Sequence, residues 1–377
     1  MPHAERPRIP ELDGIRGLAI LLVLVWHYFA TLVTPEPGSW LRAAKLAAGL
    51  GWSGVDLFFV LSGFLLGSIL LEHRDSPTYF KTFYARRACR ILPVYYLLVI
   101  AFAVASGLLQ GTRNAGFVHL FDRPMPLWSY FTFTQNFAMV SVSDFGAPAL
   151  SATWSLAVEE QFYLFLPLLI RFVPRGSLPG VLILLIVAAP ICRGLLWSDA
   201  APGFAGFVLM PARADALLLG VLAALAIRDP GFAAAFARNR VALGCVSVGL
   251  FGGMVVLAVY GWRLPHIASH LAGHLWIAAF YGLLIVWISA KPSGALGALM
   301  RFPALRALGV VSYAVYLFHV PVLETVFALA RGQPPALRAA SDAMLILASL
   351  GVTIGLAALS WRLVEKPLLR LGHRFKY

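Results

Sequence analysis

The sequence predicts an all-α fold: a polytopic membrane helix bundle of about ten transmembrane helices, with both termini in the cytoplasm. Of the 377 residues, 60% are hydrophobic, which is more apolar surface than a soluble domain of this length can cover. The apolar runs are also long enough to cross the hydrocarbon core of a bilayer. The ten predicted spans are residues 15–33, 52–71, 91–109, 159–174, 180–197, 207–227, 241–260, 270–289, 305–328 and 343–363.

The distribution of positive charge predicts the orientation. The net charge is +13, but Lys and Arg occur in separate loops rather than along one stripe, which argues against nucleic acid binding. On the ten-span topology the cytoplasmic side holds about three times as many Lys and Arg as the outer loops, in agreement with the positive-inside rule. A further span at 126–143 would reverse this bias, so we interpret that segment as re-entrant or interfacial. The whole chain, 1–377, is then one multi-pass domain of the cytoplasmic membrane, in contact with lipid.

Several kinds of functional site are absent from the sequence. Residues 1–11 carry no apolar core with a cleavage site, so we predict no removable signal peptide. Cys89, Cys192 and Cys245 have neither a pairing pattern nor the spacing of metal ligands, so we expect no disulfide and no metal. There is no phosphate-binding loop, nucleophile elbow or dinucleotide fingerprint. We therefore expect no bound cofactor.

The first span carries two ionisable residues, Arg16 and His27, where a membrane helix tolerates almost none. On a helix they lie roughly 16 Å apart along the axis and about 20° apart around it. They therefore share one stripe, with Arg16 near the membrane surface and His27 near mid-bilayer. Arg16 can serve simply as a snorkelling anchor and His27 as a packing residue, but polar groups at bilayer depth usually face a cavity.

Three arginines, Arg86, Arg87 and Arg90, lie within five residues between the second and third spans. Arg87 and Arg90 are three apart and share one face of a helical turn, whereas Arg86 points elsewhere. Three arginines are more positive charge than the orientation of the chain in the membrane requires. A guanidinium can donate two parallel hydrogen bonds, which match the oxygens of a phosphate group. The pattern predicts a cytoplasmic site for a phosphorylated donor, with attraction to anionic lipid headgroups as the alternative.

Acidic residues occur at the outer ends of two predicted spans. Glu159 and Glu160, followed by Gln161, enter the fourth span, where the helix dipole favours acids. Together they indicate a polar wall of a cavity that is reached from the outer half of the membrane. Asp56, at the start of the second span, either caps its helix or has a functional role.

The later spans contain fewer polar candidates. In the ninth span, Ser312, Tyr316 and His319 are four and three residues apart and share one polar stripe. His319 is a weaker catalytic candidate than the histidine of the first span and an equally good hydrogen-bonding residue of the core. In the sixth span, Arg213 and Asp215 can partly neutralise one another.

Six short blocks in a fixed order resemble the acyltransferase 3 family of integral membrane acyltransferases. The blocks are 12–19 (LDGIRGLA), 54–64 (GVDLFFVLSGF), 83–93 (FYARRACRILP), 153–163 (TWSLAVEEQFY), 312–319 (SYAVYLFH) and 364–367 (VEKP). The Arg-x10-His spacing of the first span belongs to the same pattern. The resemblance extends from about residue 10 to about residue 371.

This resemblance implies an enzyme of the bacterial inner membrane that transfers an acyl group, often acetyl, from cytoplasmic acyl-CoA to a hydroxyl. The implied catalytic residues are His27, Arg16, Glu159 and Glu160, the implied acyl-CoA-binding residues are Arg86, Arg87 and Arg90, and weaker candidates for acceptor binding are Asp56, Gln161, Ser312, Tyr316 and His319. Acyl-CoA, most simply acetyl-CoA, is then a co-substrate. We expect no hydrolase-like domain outside the membrane, of the kind that some members carry.

The implied mechanism leaves individual roles open. His27 acts either as the general base on the acceptor hydroxyl or as a transient carrier of the acyl group. Arg16 either contacts the donor or stabilises charge on the thioester oxygen. Glu159 or Glu160 orients the acceptor from the outer side.

The acceptor and the class of function also have alternatives. A cell-surface polysaccharide or a lipid-linked sugar is the first choice of acceptor, and a macrolide or another small metabolite is the second. A transporter or flippase explains intramembrane charge equally well but does not consume acyl-CoA. A sensor or scaffold would tolerate Lys in place of Arg87 and Arg90.

Overall fold

The computed structural model describes residues 9–36, 38–201, 203–260, 266–290 and 294–377. Within these residues ten long helices follow one another along the chain. They are α1 (Pro10–Val25), α2 (Gly54–Glu72), α3 (Tyr79–Leu108), α4 (Trp154–Phe172), α5 (Leu178–Leu195), α6 (Met210–Ala226), α7 (Arg240–Tyr260), α8 (His266–Ala290), α9 (Ser312–Arg331) and α10 (Ala340–Ser360). The predicted all-α bundle is confirmed.

The predicted orientation is not tested by the helices themselves. Four of the loop charges that contributed to it, Arg6, Arg8, Arg263 and Lys291, lie outside the described residues. The cytoplasmic location of both termini therefore stays a prediction.

Shorter helices connect the long ones. α1 continues into a π-helical turn, Trp26–Ala30, and α10 into another, Trp361–Glu365. The other short helices are Trp40–Ala48, Gly49–Ser53 (a 3₁₀-helix), Ala115–Leu120, Leu127–Phe131, Gln135–Val142, Pro148–Ser151, Phe204–Val208, Pro230–Arg238, Ala295–Met300, Pro303–Val310 and Lys366–Gly372. The segment predicted as one span, 305–328, is divided between Pro303–Val310 and α9, because the backbone at Val311 leaves the helical conformation (φ −98°, ψ 5°).

Nine helical stretches in the described part of the chain are long and apolar enough to cross a membrane, so this is a multi-pass membrane protein. α4 is not among the nine, since Glu159, Glu160 and Arg171 interrupt its apolar sequence. Half or more of the membrane-spanning part of α1, α2, α6, α8 and α9 is buried inside the bundle. In α7 only 6% is buried, which places this helix at the periphery.

Glycines allow the central helices to approach one another closely. A Cβ atom on Gly17 of α1 would collide with the backbone carbonyl of Leu305, in the helix Pro303–Val310. A Cβ atom on Gly63 of α2 would collide with the carbonyl of Leu217 in α6. These contacts hold α1, α2 and α6 in fixed positions around the cavities described below.

The segment 126–143 folds as two short helices, Leu127–Phe131 and Gln135–Val142. Neither is long enough to cross a bilayer. The second helix is attached to α4 by a reciprocal amide pair, in which Gln161 Nε2 donates to Asn136 Oδ1 at 3.0 Å. The predicted re-entrant or interfacial position of the segment stays a prediction.

Candidate active site

A cavity of about 220 Å³ lies among α1, α2, α3, α4 and α9. We call it the arginine cavity. Its charged lining residues are Arg16, Arg87, Arg90, Glu159 and Glu160, and those with a hydroxyl are Ser62, Ser155, Tyr163, Ser312, Tyr313 and Tyr316. Seven residues predicted from the sequence therefore line one cavity although they come from four helices.

The guanidinium groups reach the arginine cavity for local reasons. Arg87 and Arg90 are three residues apart on α3 and share the face that is turned to the cavity. Arg16 lies one and a half turns into α1 and forms an ion pair with Asp13 at 3.1 Å. The cavity thus has three cationic and two acidic side chains in its wall.

A smaller cavity of about 120 Å³ adjoins the arginine cavity, because Arg87 and Arg90 line both. We call it the tail cavity, since Gly372, His373 and Tyr377 complete its wall. We call the walls of the two cavities around these arginines the basic region.

Arg86 lines the tail cavity rather than the arginine cavity. Its Nε donates to the Phe375 carbonyl at 3.0 Å, and its guanidinium lies 5.1 Å from the centroid of the Tyr377 ring. Burial raises the pKa of the Tyr377 phenol, against the opposing influence of Arg87 and Arg86. The phenol therefore stays neutral near pH 7 and does not repel an anionic ligand.

Both glutamates line the arginine cavity, and access to it from the outer half of the membrane stays a prediction. α4 begins at Trp154, so Glu159 and Glu160 lie about 7.5 and 9 Å into the helix instead of at its N-terminus. The helix dipole accordingly does not explain them. Ser62 Oγ of α2 donates to Glu159 Oε1 at 2.6 Å. Glu160 Oε1 is buried and has no hydrogen-bond partner among the described residues.

A second cavity, of about 310 Å³, lies on the other side of Tyr316. We call it the aromatic cavity because rings dominate its wall, which includes Trp26, Trp52, Phe145, Trp154 and Phe207. His27 lines this cavity. Val55 and Tyr316 line both the arginine cavity and the aromatic cavity and separate the two.

His27 lies in the π-helical turn at the end of α1, where its imidazole contacts that of His319. His27 Nδ1 is 3.0 Å from the Val23 carbonyl oxygen and 3.3 Å from His319 Nε2. His319 Nδ1 is 2.6 Å from the Tyr316 carbonyl oxygen. A carbonyl oxygen can only accept, so both Nδ1 atoms carry the hydrogen. The one hydrogen on His27 Nδ1 is then shared between the Val23 carbonyl and His319 Nε2, and the Nε2 of His27 keeps a free lone pair and can act as a base.

Residues 9–362 match the family model described as the acyltransferase domain of acyltransferase 3. The chain belongs to the acyltransferase 3 family. It is 31% identical to YrhL of Bacillus subtilis, provisionally named a peptidoglycan O-acetyltransferase, over 97% of the chain and 56% of that protein. It is 27% identical to the peptidoglycan O-acetyltransferase OatA of Listeria monocytogenes, over 97% of the chain and 57% of that protein.

A third relative is the O-acetyltransferase OatA of Staphylococcus aureus, with 26% identity over 97% of the chain and 58% of that protein. The chain thus spans little more than half the length of these acyltransferase 3 relatives. No solved structure matches the chain.

Three of the predicted acceptor-binding residues of this acyltransferase 3 chain are engaged by other parts of the protein. Gln161 is held by Asn136. Asp56 Oδ1 accepts from Arg213 Nη2 at 2.6 Å, and both side chains are 1% exposed. Ser312 lines the arginine cavity, but its hydroxyl donates to a backbone carbonyl one turn earlier. Gln161 and Asp56 are therefore held by protein partners and are not among the residues that line the three cavities.

Arg213 and Asp215 each form their direct ion pair with a residue of a neighbouring helix rather than with one another. Two residues apart, they point to opposite sides of α6. Arg213 pairs with Asp56 of α2, whereas Asp215 Oδ2 accepts from Arg193 Nη2 of α5 at 2.7 Å. Two buried ion pairs therefore fasten α6 to its neighbours on both sides.

The aromatic cavity was not predicted from the sequence. Trp52, Phe145 and Phe207 come from connecting segments that are far apart in the chain. The one available signal was the concentration of aromatic residues near the ends of the spans. Such residues also form ordinary belts at the membrane surface, so the pattern alone does not indicate a cavity.

Proposed function

We propose that this chain transfers an acetyl group from acetyl-CoA to a hydroxyl of a cell-surface carbohydrate. The observation that carries the proposal is the pair of cavities that meet at Tyr316, one lined by three arginines and the other by His27. The names of the relatives, which are O-acetyltransferases, support an acetyl donor and, for two of them, peptidoglycan as the acceptor.

The basic region suits coenzyme A as the donor. Guanidinium groups bind phosphate oxygens through paired hydrogen bonds, and Arg86, Arg87 and Arg90 lie together at the tail cavity. Apolar side chains of α2, Leu61, Leu65 and Leu66 among them, line the arginine cavity beyond the arginines. This surface is suited to the uncharged arm that carries the thioester. The donor thus extends from the tail cavity towards Tyr316.

His27 Nε2 is the proposed general base. It takes the proton from the acceptor hydroxyl as the oxygen attacks the carbonyl carbon of the thioester. The carbon–sulfur bond breaks, the coenzyme A thiolate leaves, and it receives the proton from His27. The products are the acetyl ester of the acceptor and coenzyme A with a free thiol. No further reactant is needed.

Arg16 is assigned to the donor rather than to the reacting carbonyl. It lies roughly 16 Å from His27 along α1, which is farther than an arginine side chain extends. It lines the same cavity as Arg87 and Arg90. A third guanidinium in the arginine cavity extends the positively charged surface that attracts the anionic donor.

The test uses the purified full chain in nanodiscs with labelled acetyl-CoA, and water takes the place of the acceptor hydroxyl and receives the acetyl group as acetate. We expect release of free coenzyme A by the natural chain, no release by His27→Ala, and loss of acetyl-CoA binding in the double variant Arg87→Ala/Arg90→Ala. The matched control is Arg238→Ala/Arg240→Ala, which removes two exposed arginines from the side predicted to be cytoplasmic and should behave as the natural chain. Absence of binding by acetyl-CoA and by longer acyl-CoAs would overturn the proposal and favour a transporter.

A further inference from the structure

In the part of the chain that the structure describes, the side chains that line the aromatic cavity offer no permanent positive charge to an anionic ligand. Among the side chains that line it, none is a carboxylate, an ammonium or a guanidinium, and His27 is the one ionisable imidazole. This contrasts with the arginine cavity on the other side of Tyr316. A phosphorylated donor is attracted to one cavity, and an uncharged ligand suits the other.

The wall of the aromatic cavity combines flat apolar faces with a few polar atoms. Trp26, Trp52 and Trp154 present indole rings, whose faces carry partial negative charge and attract weakly positive C–H groups. The hydroxyl-bearing side chains in the same wall are Ser151 and Tyr316, whose hydroxyls donate to backbone carbonyls and present oxygens that can accept. A sugar ring has the matching surface, since it exposes C–H groups on its faces and hydroxyls around its edge. A purely aliphatic ligand would form no hydrogen bonds with these polar atoms.

The volume sets the size of the ligand. At about 310 Å³ the aromatic cavity lies at the lower end of the range for small-molecule sites, roughly 300–1,000 Å³. One or two sugar rings fill it. A longer glycan would continue out of the cavity.

The buried ion pair behind the wall keeps the rings in position. The Arg213 guanidinium lies 6.0 Å from the centroid of the Trp154 ring and 5.4 Å from that of Phe207. Asp56 holds Arg213 from the opposite side. The Trp52 ring packs edge-on against His274, with centroids 5.5 Å apart. The wall is therefore rigid before a ligand arrives, which lowers the entropic cost of binding.

We propose that the aromatic cavity is the acceptor site, and that it takes an uncharged sugar ring stacked on Trp52 and Trp154 with one hydroxyl directed to His27. This inference rests on the proposed function for the chemical step. The binding of the sugar is a separate property of the cavity and can be measured without turnover.

The experiment measures equilibrium binding of three uncharged tetrasaccharides to the full chain in nanodiscs: chitotetraose, maltotetraose and xylotetraose. The anionic tetragalacturonate and the uncharged macrolide aglycone erythronolide B are compared with them. The variants are Trp52→Ala and Trp52→Phe, with Phe145→Ala as a second wall variant if Trp52→Ala does not fold. The matched control is Trp128→Ala, which removes a tryptophan that is 65% exposed and lies outside the cavity.

We expect at least one uncharged tetrasaccharide to bind, about tenfold more weakly in Trp52→Ala and less than threefold more weakly in Trp52→Phe, since the ring is retained. Tetragalacturonate should bind at least tenfold more weakly than the best uncharged sugar. With labelled acetyl-CoA present, the ratio of the acceptor KM to the acetyl-CoA KM should rise about tenfold in Trp52→Ala.

Three outcomes overturn the inference: no sugar binds, sugars bind equally well to Trp52→Ala and the natural chain, or erythronolide B binds in preference to every sugar. Its failure is distinct from failure of the proposed function. Sugar binding that depends on Trp52 without acetyl-CoA turnover contradicts the transfer reaction alone. Release of coenzyme A dependent on His27, with no sugar bound, contradicts the acceptor site alone.

Discussion

His319 Nε2 lies 3.3 Å from His27 Nδ1, on the same nitrogen that faces the Val23 carbonyl oxygen at 3.0 Å. The Tyr316 carbonyl holds the hydrogen on Nδ1 of His319 and so leaves its Nε2 as an acceptor. The Val23 carbonyl and His319 Nε2 together keep the hydrogen of His27 on Nδ1 and its lone pair on Nε2. His319 is a positioning residue, because it acts on the reaction through His27.

Replacing His319 with Ala should lower kcat about 10- to 100-fold, which corresponds to the loss of one buried hydrogen bond, with little change in either KM. His319→Gln should recover part of kcat, since its amide oxygen can accept from His27 Nδ1. Steady-state kinetics of acetyl transfer in nanodiscs measures kcat and both KM values for the two variants. Equal loss in the Ala and Gln variants, or a loss confined to KM, would contradict the positioning role.

Tyr377 should contribute to donor binding through its position at the tail cavity. We expect Tyr377→Ala to raise the KM for acetyl-CoA about three- to tenfold, because the ring that packs under the Arg86 guanidinium is lost. Tyr377→Phe keeps the ring and should stay within about twofold of the natural chain. The measurement is the dependence of the initial rate on acetyl-CoA concentration. A rise in the acceptor KM instead would place Tyr377 outside the donor site.

The Asp56–Arg213 pair should be far more important for stability than an ion pair at the surface. Asp56→Ala leaves a buried guanidinium without its counter-charge, which costs about 3–5 kcal/mol. The matched comparison is Asp75, whose pair with Arg175 at 2.6 Å has side chains 75% and 72% exposed. Asp75→Ala should cost at most about 1 kcal/mol.

Thermal unfolding in one detergent compares the two aspartate variants directly. The double variant Asp56→Leu/Arg213→Met should recover much of the loss, because it removes both buried charges together. Equal melting temperatures for the variants Asp56→Ala and Asp75→Ala would show that Arg213 finds another partner.

Gly63 should tolerate no larger side chain. Even Gly63→Ala places a methyl group on the Leu217 carbonyl, so α2 and α6 must separate, with a cost of about 1–3 kcal/mol or more. Gly244 of α7 is the control, since a Cβ there meets no atom within 4 Å. Gly244→Ala should leave the yield of folded protein unchanged or raise it. The yield after detergent extraction and size-exclusion chromatography reports both effects.

The order of the helices was predictable because nine helical stretches in the described part of the chain are apolar runs long enough to cross a bilayer. The residues at which the helices begin and end were less predictable than their order. The fourth span was predicted from residue 159, whereas α4 begins at Trp154. The prediction left Trp154 and Ser155 out because they do not extend an apolar run, although both are helical. Glu159 and Glu160 therefore lie more than one turn inside α4, where they line the arginine cavity.

The candidate site was predictable where its residues share one helix. Helical spacing brings Arg87 together with Arg90, and it places Ser312 and Tyr316 on one stripe. Partners on different helices were not predictable, since nothing in a single sequence specifies that Arg213 reaches Asp56. The contact of His27 with His319 is of the same kind, and it needed the packing of α1 against α9.

The side chains that separate the arginine cavity from the aromatic cavity at Tyr316 also bear on the permeability of the membrane. In the described part of the chain, Val55 and Tyr316 are the side chains shared by the two cavities, so the barrier between them is about one residue thick. The Tyr316 hydroxyl is 2.6 Å from Ser155 Oγ, which keeps the ring in place. Under the proposed function, an acetyl group has to pass this point while protons and salt do not. Coenzyme A bound in the arginine cavity and a glycan bound in the aromatic cavity would each block the path between the two cavities. Acetyl transfer then proceeds without an ion leak that would dissipate the ion gradients of the cell.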